Sequence, residues 1–185
     1  MKIISLVENR TKSDCKAKHG LSLYIETKTH KILFDLGSDD TLFDNADRRN
    51  IDLSKVDTVI ISHGHYSKTL FFKTPVGIDS KLKSNRQVIL LNGNYKIDDE
   101  LSLFTVSKTN KCYSSANDAL YDENGKDNFR HEQNLIILEN KVVLIMGCGH
   151  TGVVNIMEEA EKYKPDFCIG GFHLFNPFSV KRIVK

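Results

Sequence analysis

Two histidines, His63 and His65, stand two residues apart directly after an apolar run at 59–61. Side chains alternate in direction along an extended segment, so residues at i and i+2 point to the same side of the backbone. Both imidazoles are therefore placed to face one metal ion, and Gly64 between them permits a close approach of the backbone. This spacing predicts a metal-binding turn at the end of a strand.

The residues that follow Tyr66 do not fit a simple metal-binding turn. Ser67 is a poor metal ligand, and Lys68 brings a positive charge to a place where a second cation would bind. The segment therefore combines two good ligands with two residues that oppose metal binding. How many ions the turn binds stays open at this point.

Further histidines follow two later apolar runs. His150 ends the segment Gly-Cys-Gly-His at 147–150, and His173 lies in Gly-Gly-Phe-His-Leu at 170–174. Glycine-rich turns at strand ends are common positions for sites in α/β proteins, and neutral imidazoles that converge are typical zinc ligands. A single histidine such as His131 or His173 is more often a hydrogen-bonded structural residue, so the combination of turns carries the prediction.

Composition excludes several classes of protein. The chain has 185 residues, of which 40% are apolar and 27% charged, with a formal net charge of +2. This is ordinary globular composition, and the charge favours neither a nucleic-acid nor a membrane partner. No apolar stretch approaches the roughly 18 residues of a spanning helix. The four cysteines form no Cys-x-x-Cys pair, and the N-terminus lacks a secretory pattern, so we expect reduced thiols in a cytoplasmic protein.

The apolar and polar pattern predicts strands that alternate with two helices. The predicted strands lie at 2–7, 21–27, 31–35, 56–61, 87–91, 101–106, 133–138, 142–146 and 166–169. The predicted helices lie at about 41–50, with Asp39 or Asp40 as cap, and 152–163, with Thr151 as cap. Two pairs of strands are separated by short turns and should form antiparallel hairpins. The pattern predicts a single α/β domain of layered sheets over residues 1–185.

These turns also carry a family resemblance. The segment at 59–66 resembles the signature turn of metallo-β-lactamase-fold hydrolases, whose pattern is SHGHYDHTGG, and Phe-Asp-Leu-Gly at 34–37 resembles their FDTG turn. The segments at 131–135, 147–150 and 170–174 match one branch more narrowly. That branch includes the dihydropterin–ribofuranosylaminobenzene phosphate synthase-like proteins. The resemblance implies a metallo-β-lactamase-like αββα sandwich.

The resemblance also implies roles for individual residues. His63 and His65 match the first two metal ligands of the family, and His150 resembles the third histidine of the same metal position. His173 resembles a further site histidine close to the second metal position, where it would stabilise developing charge. Asp35 matches the acid that supports the ligands from behind.

The chain departs from the family pattern in ways that bear on activity. Ser67 and Lys68 stand where the family has an aspartate and a histidine, and Leu70 follows Thr69 where the family has two glycines. The chain reaches 71–79 with little of the expected helical segment, and the late HCTG-like segment is missing. We therefore expect an incomplete sandwich, with an internal deletion and without the C-terminal elements. Sheet surface left exposed in this way would favour a homodimer or an aggregation-prone monomer.

Two functions remain open from the sequence. In the first, the chain is a metal-dependent hydrolase of a small anionic or phosphorylated molecule. One zinc, iron or manganese ion would be held by His63, His65 and His150, with Cys148 as a softer ligand and Asp35 and His173 as catalytic residues. In the second, the chain is a degenerate homologue that binds no ion and acts as a binding or oligomeric partner.

Overall fold

The computed structural model describes residues 1–64, 66–68, 73–75, 89, 91, 93–107, 113, 117–118, 120–122 and 125–172. The chain divides into two compact units, Met1–Ser62 and His63–Lys185. The prediction that residues 1–185 form one domain stays a prediction. Within the described part of the chain, no helix is both long enough and apolar enough to cross a membrane.

The first unit is a four-stranded sheet with one helix. Its elements are β1 (Lys2–Val7), β2 (Ser22–Glu26), β3 (Lys31–Phe34), α1 (Thr41–Arg48), a 3₁₀ turn (Leu53–Lys55) and β4 (Thr58–Ile60). The strands lie in the order β1-β2-β3-β4. The pairs β1–β2 and β2–β3 are antiparallel, as the predicted hairpin requires, whereas β4 runs parallel to β3. The parallel pairing brings the ends of β3 and β4 to the same edge of the sheet.

Helix α1 covers one face of this sheet through a narrow apolar stripe. Leu42 and Ala46 are buried in a cluster with Val7, Tyr24 and Leu33. The helix begins at the predicted residue, Thr41, and Asp40 occupies the cap position without a side-chain capping hydrogen bond. The Asp39 carboxylate just before it accepts a hydrogen bond from the Thr41 amide. It ends at Arg48, two residues earlier than predicted.

The second unit contains two sheets among its described residues. Its strands are β5 (Tyr66–Lys68), β6 (Lys73–Pro75), β7 (Tyr95–Lys96), β8 (Leu101–Phe104), β9 (Leu120–Tyr121), β10 (Asn134–Leu138), β11 (Val142–Met146) and β12 (Phe167–Gly170). Five of them form the sheet β12-β11-β10-β8-β7, and three form β6-β5-β9. The predicted second hairpin is β10–β11, and β12 pairs parallel to β11. Of the predicted strand at 87–91, the structure describes Ile89 and Leu91, and neither lies in a strand.

Helix α2 (Val153–Ala160) packs on the five-stranded sheet. Ile156 and Ala160 are completely buried and contact the cluster around Leu144 and Met146. Met157, on the same helix, is 39% exposed. The helix is shorter than predicted because a 3₁₀ turn, Glu161–Tyr163, follows it.

The parallel pairing of β11 and β12 brings two glycine-rich turns together. A Cβ atom added at Gly170 would lie 2.0 Å from the Met146 carbonyl oxygen, and one at Gly171 would lie 2.6 Å from the Gly147 carbonyl oxygen. Real side chains do not tolerate such distances. The glycines at 170 and 171 are therefore required for the two strand ends to lie side by side.

We expect Gly170→Ala to abolish folding or to lower the free energy of unfolding by several kcal/mol, because backbone atoms would have to separate. Gly125→Ala is the matched control. Gly125 has a similar φ of +147°, against +143° at Gly170, but its added Cβ would contact no described atom within 4 Å. It should cost only the backbone strain of about 1–3 kcal/mol. Urea unfolding of both variants measures the difference, and equal losses would contradict the steric explanation.

Candidate metal centre

Three potential metal ligands converge in the second unit. One ligand atom each from His63, Cys148 and His150 lies within 4.8 Å of the other two. The two imidazole rings meet edge to face, with centroids 4.9 Å apart and planes at 65°. His150 is buried, whereas His63 and Cys148 are half-buried, so one side of the cluster faces solvent.

The donor set fits a divalent ion of borderline softness. Two imidazole nitrogens and one thiolate sulfur are common zinc ligands, and around one tetrahedral zinc such donors lie about 3.4–3.6 Å apart. The separations of up to 4.8 Å would contract by about 1 Å on binding. The residues present therefore fit one metal ion.

The turn after β11 positions two of these ligands. Gly149 adopts a left-handed φ of +67°, which reverses the chain between Cys148 and His150. The amide of Gly152 donates to the carbonyl of Gly149 across this turn. Cys148 and His150 thus lie on either side of a tight turn, from which both can reach the same point.

A buried carboxylate holds this turn. The Oε1 atom of Glu132 accepts a hydrogen bond from the His150 amide at 2.8 Å. Its Oε2 atom accepts bonds from the amide and the hydroxyl of Thr151, at 2.8 and 2.7 Å. Glu132 and Thr151 are completely buried. Sequence analysis treated Thr151 as a helix cap, but α2 has no side-chain cap and the Thr151 hydroxyl donates to Glu132 instead.

The ring of His150 is held by a second buried residue, Asn117. Its Oδ1 atom lies 2.9 Å from Nδ1 of His150, and its Nδ2 atom donates to the His150 carbonyl oxygen at 2.7 Å. The nitrogen left to face the cluster is therefore Nε2, which is also buried. Neutral histidine that ligates through one nitrogen and is oriented through the other is the usual arrangement at metal sites.

One face of the His150 ring is covered by Phe129. The two rings stack with centroids 4.4 Å apart and an angle of 14° between their planes. Phe129 has a left-handed φ of +54°, which is unusual for an aromatic residue. Its amide donates to Oδ1 of Asp127 at 2.7 Å. Burial raises the pKa of Asp127 above its ordinary value, although this hydrogen bond opposes the shift.

Asp35 acts on the chain just before His63. Its Oδ1 atom accepts from the Ser62 amide at 2.8 Å, and its Oδ2 atom accepts from the Ser62 hydroxyl at 2.7 Å. The Asp35 amide donates to the carbonyl of Ile60 at the end of β4. Its φ of +57° is also left-handed. Asp35 therefore fixes the residue to which His63 is attached, which is a positioning role.

The structure describes some of the predicted site residues and not others. His65 and His173 lie outside the described residues, and their roles stay predictions. Ser67 and Lys68 lie in β5. Sequence analysis missed Asn117 and Phe129, because neither belongs to a recognisable pattern of ligands. Glu132 lies in the matching segment at 131–135, and the resemblance implies no role for it.

Cys168 and Cys148 lie in different environments. The pKa of the Cys168 thiol rises to about 11 because burial disfavours its thiolate, and this side chain packs against the core of the five-stranded sheet. Cys168 is therefore a packing residue that keeps its proton. Cys148 is the cysteine that lies within reach of the two histidines.

Comparison with known proteins decides the fold. A model of the metallo-β-lactamase superfamily matches residues 16–66. The crystal structure of Tm1679, described as a metal-dependent hydrolase of the β-lactamase superfamily, superposes with a TM-score of 0.74 over 98% of this chain and 79% of that chain. This chain has the metallo-β-lactamase fold. The sequence identity to Tm1679 is 24%.

A sequence relative occurs in Methanocaldococcus jannaschii. The uncharacterized protein MJ0448 is 27% identical over 203 aligned residues, which cover 91% of this chain and 78% of the relative. The predicted metallo-β-lactamase-like α/β fold is confirmed by the structural match. The narrower branch, the internal deletion, the missing C-terminal elements and the homodimer stay predictions.

We expect Glu132→Gln to loosen the turn that carries His150, because an amide offers one acceptor where the carboxylate offers two. Hydrogen bonds to a charged acceptor are worth about 1.5–3 kcal/mol each, so the free energy of unfolding should fall by at least about 2 kcal/mol. Thr151→Val, which removes one hydroxyl donor and keeps the carboxylate, is the milder comparison. Chemical denaturation measures the free energy of unfolding of both variants. A larger loss in Thr151→Val than in Glu132→Gln would contradict the conclusion that Glu132 holds this turn.

Proposed function

We propose that this chain is a metal-dependent hydrolase that uses a single divalent ion. The ion would be held by His63, Cys148 and His150, with His65 as a further ligand. The observation that carries the proposal is the convergence of three ligand atoms within 4.8 Å in a chain with the metallo-β-lactamase fold. The predicted assignment of His63 and His150 to one metal position agrees with this cluster.

The chain's own residues would prepare the site in three ways. Glu132 and Asn117 hold His150 by its backbone and by its ring, so this ligand pays little orientational entropy on binding. Phe129 covers one face of the ring and excludes water from that side. The half-buried His63 and Cys148 leave the opposite side accessible to water and substrate. A bound divalent ion would supply Lewis acidity and would generate a nucleophile from water near neutral pH.

A single ion is favoured by the residues that replace the family's second metal ligands. A serine is a weak metal ligand, and a lysine in place of a ligand brings a positive charge that disfavours a second cation. The same positive charge favours a small anionic or phosphorylated substrate. His173 would then stabilise negative charge that develops on it, as the family resemblance implies.

The first test is metal content and metal-dependent hydrolysis. Protein expressed without added metal should hold about one equivalent of zinc, iron or manganese, because three convergent ligands bind tightly. Hydrolysis of generic phosphodiesters and lactones should require added Zn²⁺ or Mn²⁺, stop with a chelator and return when metal is restored. His63→Ala should lose metal and activity. The exposed His19, in the first unit, is the control, and His19→Ala should retain both.

A metal content below about 0.2 equivalents in the wild type would contradict the proposal, given the affinity expected of these ligands. That result, with a folded protein and no hydrolysis, would support the alternative function of a non-catalytic binding or oligomeric partner. Ser67 and Lys68 are the observation that favours this alternative.

The second test concerns Cys148. A thiolate ligand favours soft and borderline ions, so Cys148→Ser should weaken Zn²⁺ and Cd²⁺ binding more than Mn²⁺ binding. In Co²⁺-loaded protein it should also remove the sulfur-to-metal charge-transfer absorption. Cys168→Ser is the matched control, since Cys168 packs in the core of the same unit. An unchanged Co²⁺ spectrum in Cys148→Ser would remove Cys148 from the ligand set.

A further inference from the structure

We propose that Asn117 is a positioning residue that keeps the proton of the His150 imidazole on Nδ1, so that Nε2 carries the lone pair that ligates metal. The consequence for metal binding rests on the proposed function. The tautomer itself is a property of the protein without metal.

Asn117 contacts two different atoms of the same residue. Its Oδ1 lies 2.9 Å from the ring atom Nδ1 of His150, and its Nδ2 lies 2.7 Å from the backbone carbonyl oxygen of His150. Both contacts are buried, since Asn117 is 0% and His150 1% exposed. Water therefore does not compete for either group.

The backbone carbonyl decides which way the amide of Asn117 faces. The oxygen and nitrogen of an asparagine amide have nearly the same shape, so shape alone does not distinguish them. A carbonyl oxygen only accepts hydrogen bonds, so the group that faces it must be the NH₂ of Asn117. The amide oxygen then faces Nδ1 of His150. An amide oxygen also only accepts, and Nδ1 must therefore carry the proton.

The surrounding contacts prevent the ring from avoiding this arrangement. Phe129 stacks on one face of the imidazole at 4.4 Å, which restricts ring rotation. Glu132 holds the backbone amide of His150 at 2.8 Å, so the carbonyl and the ring keep their positions relative to Asn117. The tautomer is thus set before any ion arrives.

The neutral amide also sets how strongly His150 donates to a metal. A carboxylate at this position would pull the Nδ1 proton more strongly and make Nε2 a more basic ligand. Asn117 orients the ring without adding a charge to this buried pair. Replacing it by aspartate keeps an acceptor for the Nδ1 proton but puts a carboxylate oxygen, which cannot donate, against the His150 carbonyl oxygen. An apolar residue of the same size removes both contacts.

The experiment compares the full-length wild type with Asn117→Leu and Asn117→Asp. Long-range ¹H–¹⁵N correlation spectra of the histidine rings, recorded without metal, report which nitrogen of His150 is protonated. We expect a proton on Nδ1 in the wild type and in Asn117→Asp, and a shift towards the Nε2–H tautomer in Asn117→Leu. Competition titration with Zn²⁺ should show 10–100-fold weaker binding for Asn117→Leu, the usual effect of removing such a partner. Asn117→Asp, which keeps the acceptor for Nδ1 and loses the donor to the carbonyl, should bind Zn²⁺ more tightly than Asn117→Leu.

Two outcomes would overturn the inference. One is a wild-type spectrum with the proton of His150 on Nε2, which needs no variant to fold. The other is an Asn117→Leu protein that keeps the Nδ1 proton and binds Zn²⁺ within about 2-fold of the wild type. If the wild type binds no metal, the proposed function fails, but the spectrum without metal still decides the tautomer.

Discussion

The buried carboxylate of Glu132 is the interaction on which the candidate site depends. A carboxylate removed from water is costly unless hydrogen bonds replace its hydration. Here the His150 amide and the amide and hydroxyl of Thr151 supply that replacement. Breaking these hydrogen bonds would leave buried polar groups unsatisfied, so the turn after β11 stays in contact with Glu132, two residues before β10. The ligand His150 is therefore fixed by the same bonds that make the charge tolerable.

The first unit uses the same local device. Asp35 accepts from the amide and the hydroxyl of Ser62, as Glu132 does from Thr151, with nearly identical distances. In each case the hydroxyl residue is the chain neighbour of a candidate metal ligand. Asp35 also adopts a left-handed backbone conformation, which costs free energy and persists only where surrounding bonds enforce it. A carboxylate bound to a serine or threonine thus holds the backbone next to both His63 and His150.

The side chain of His150 is held by uncharged groups, whereas its backbone is held by the Glu132 carboxylate. The ring contacts a neutral amide from Asn117 and an aromatic face from Phe129, so its protonation is directed without a charged partner. His150 is buried and held at both its ring and its backbone, whereas His63 and Cys148 are half-buried. A cluster of one fully held imidazole and two half-buried candidate ligands suits the proposed single ion. This agrees with the proposed single ion and with the presence of Ser67 and Lys68 where the resembled family has metal ligands.

The sequence by itself determined the elements whose signals are local. Alternating apolar residues and short turns specified the hairpins β2–β3 and β10–β11, and the histidine spacing marked the turns that bear ligands. Only the tertiary structure decided which distant groups meet. Thr151 has the local signature of a helix cap, yet a carboxylate far away in the chain takes its hydroxyl. Asn117 follows no pattern that sequence could reveal, because its role exists only once folding buries it against His150, where water cannot compete for the same bonds.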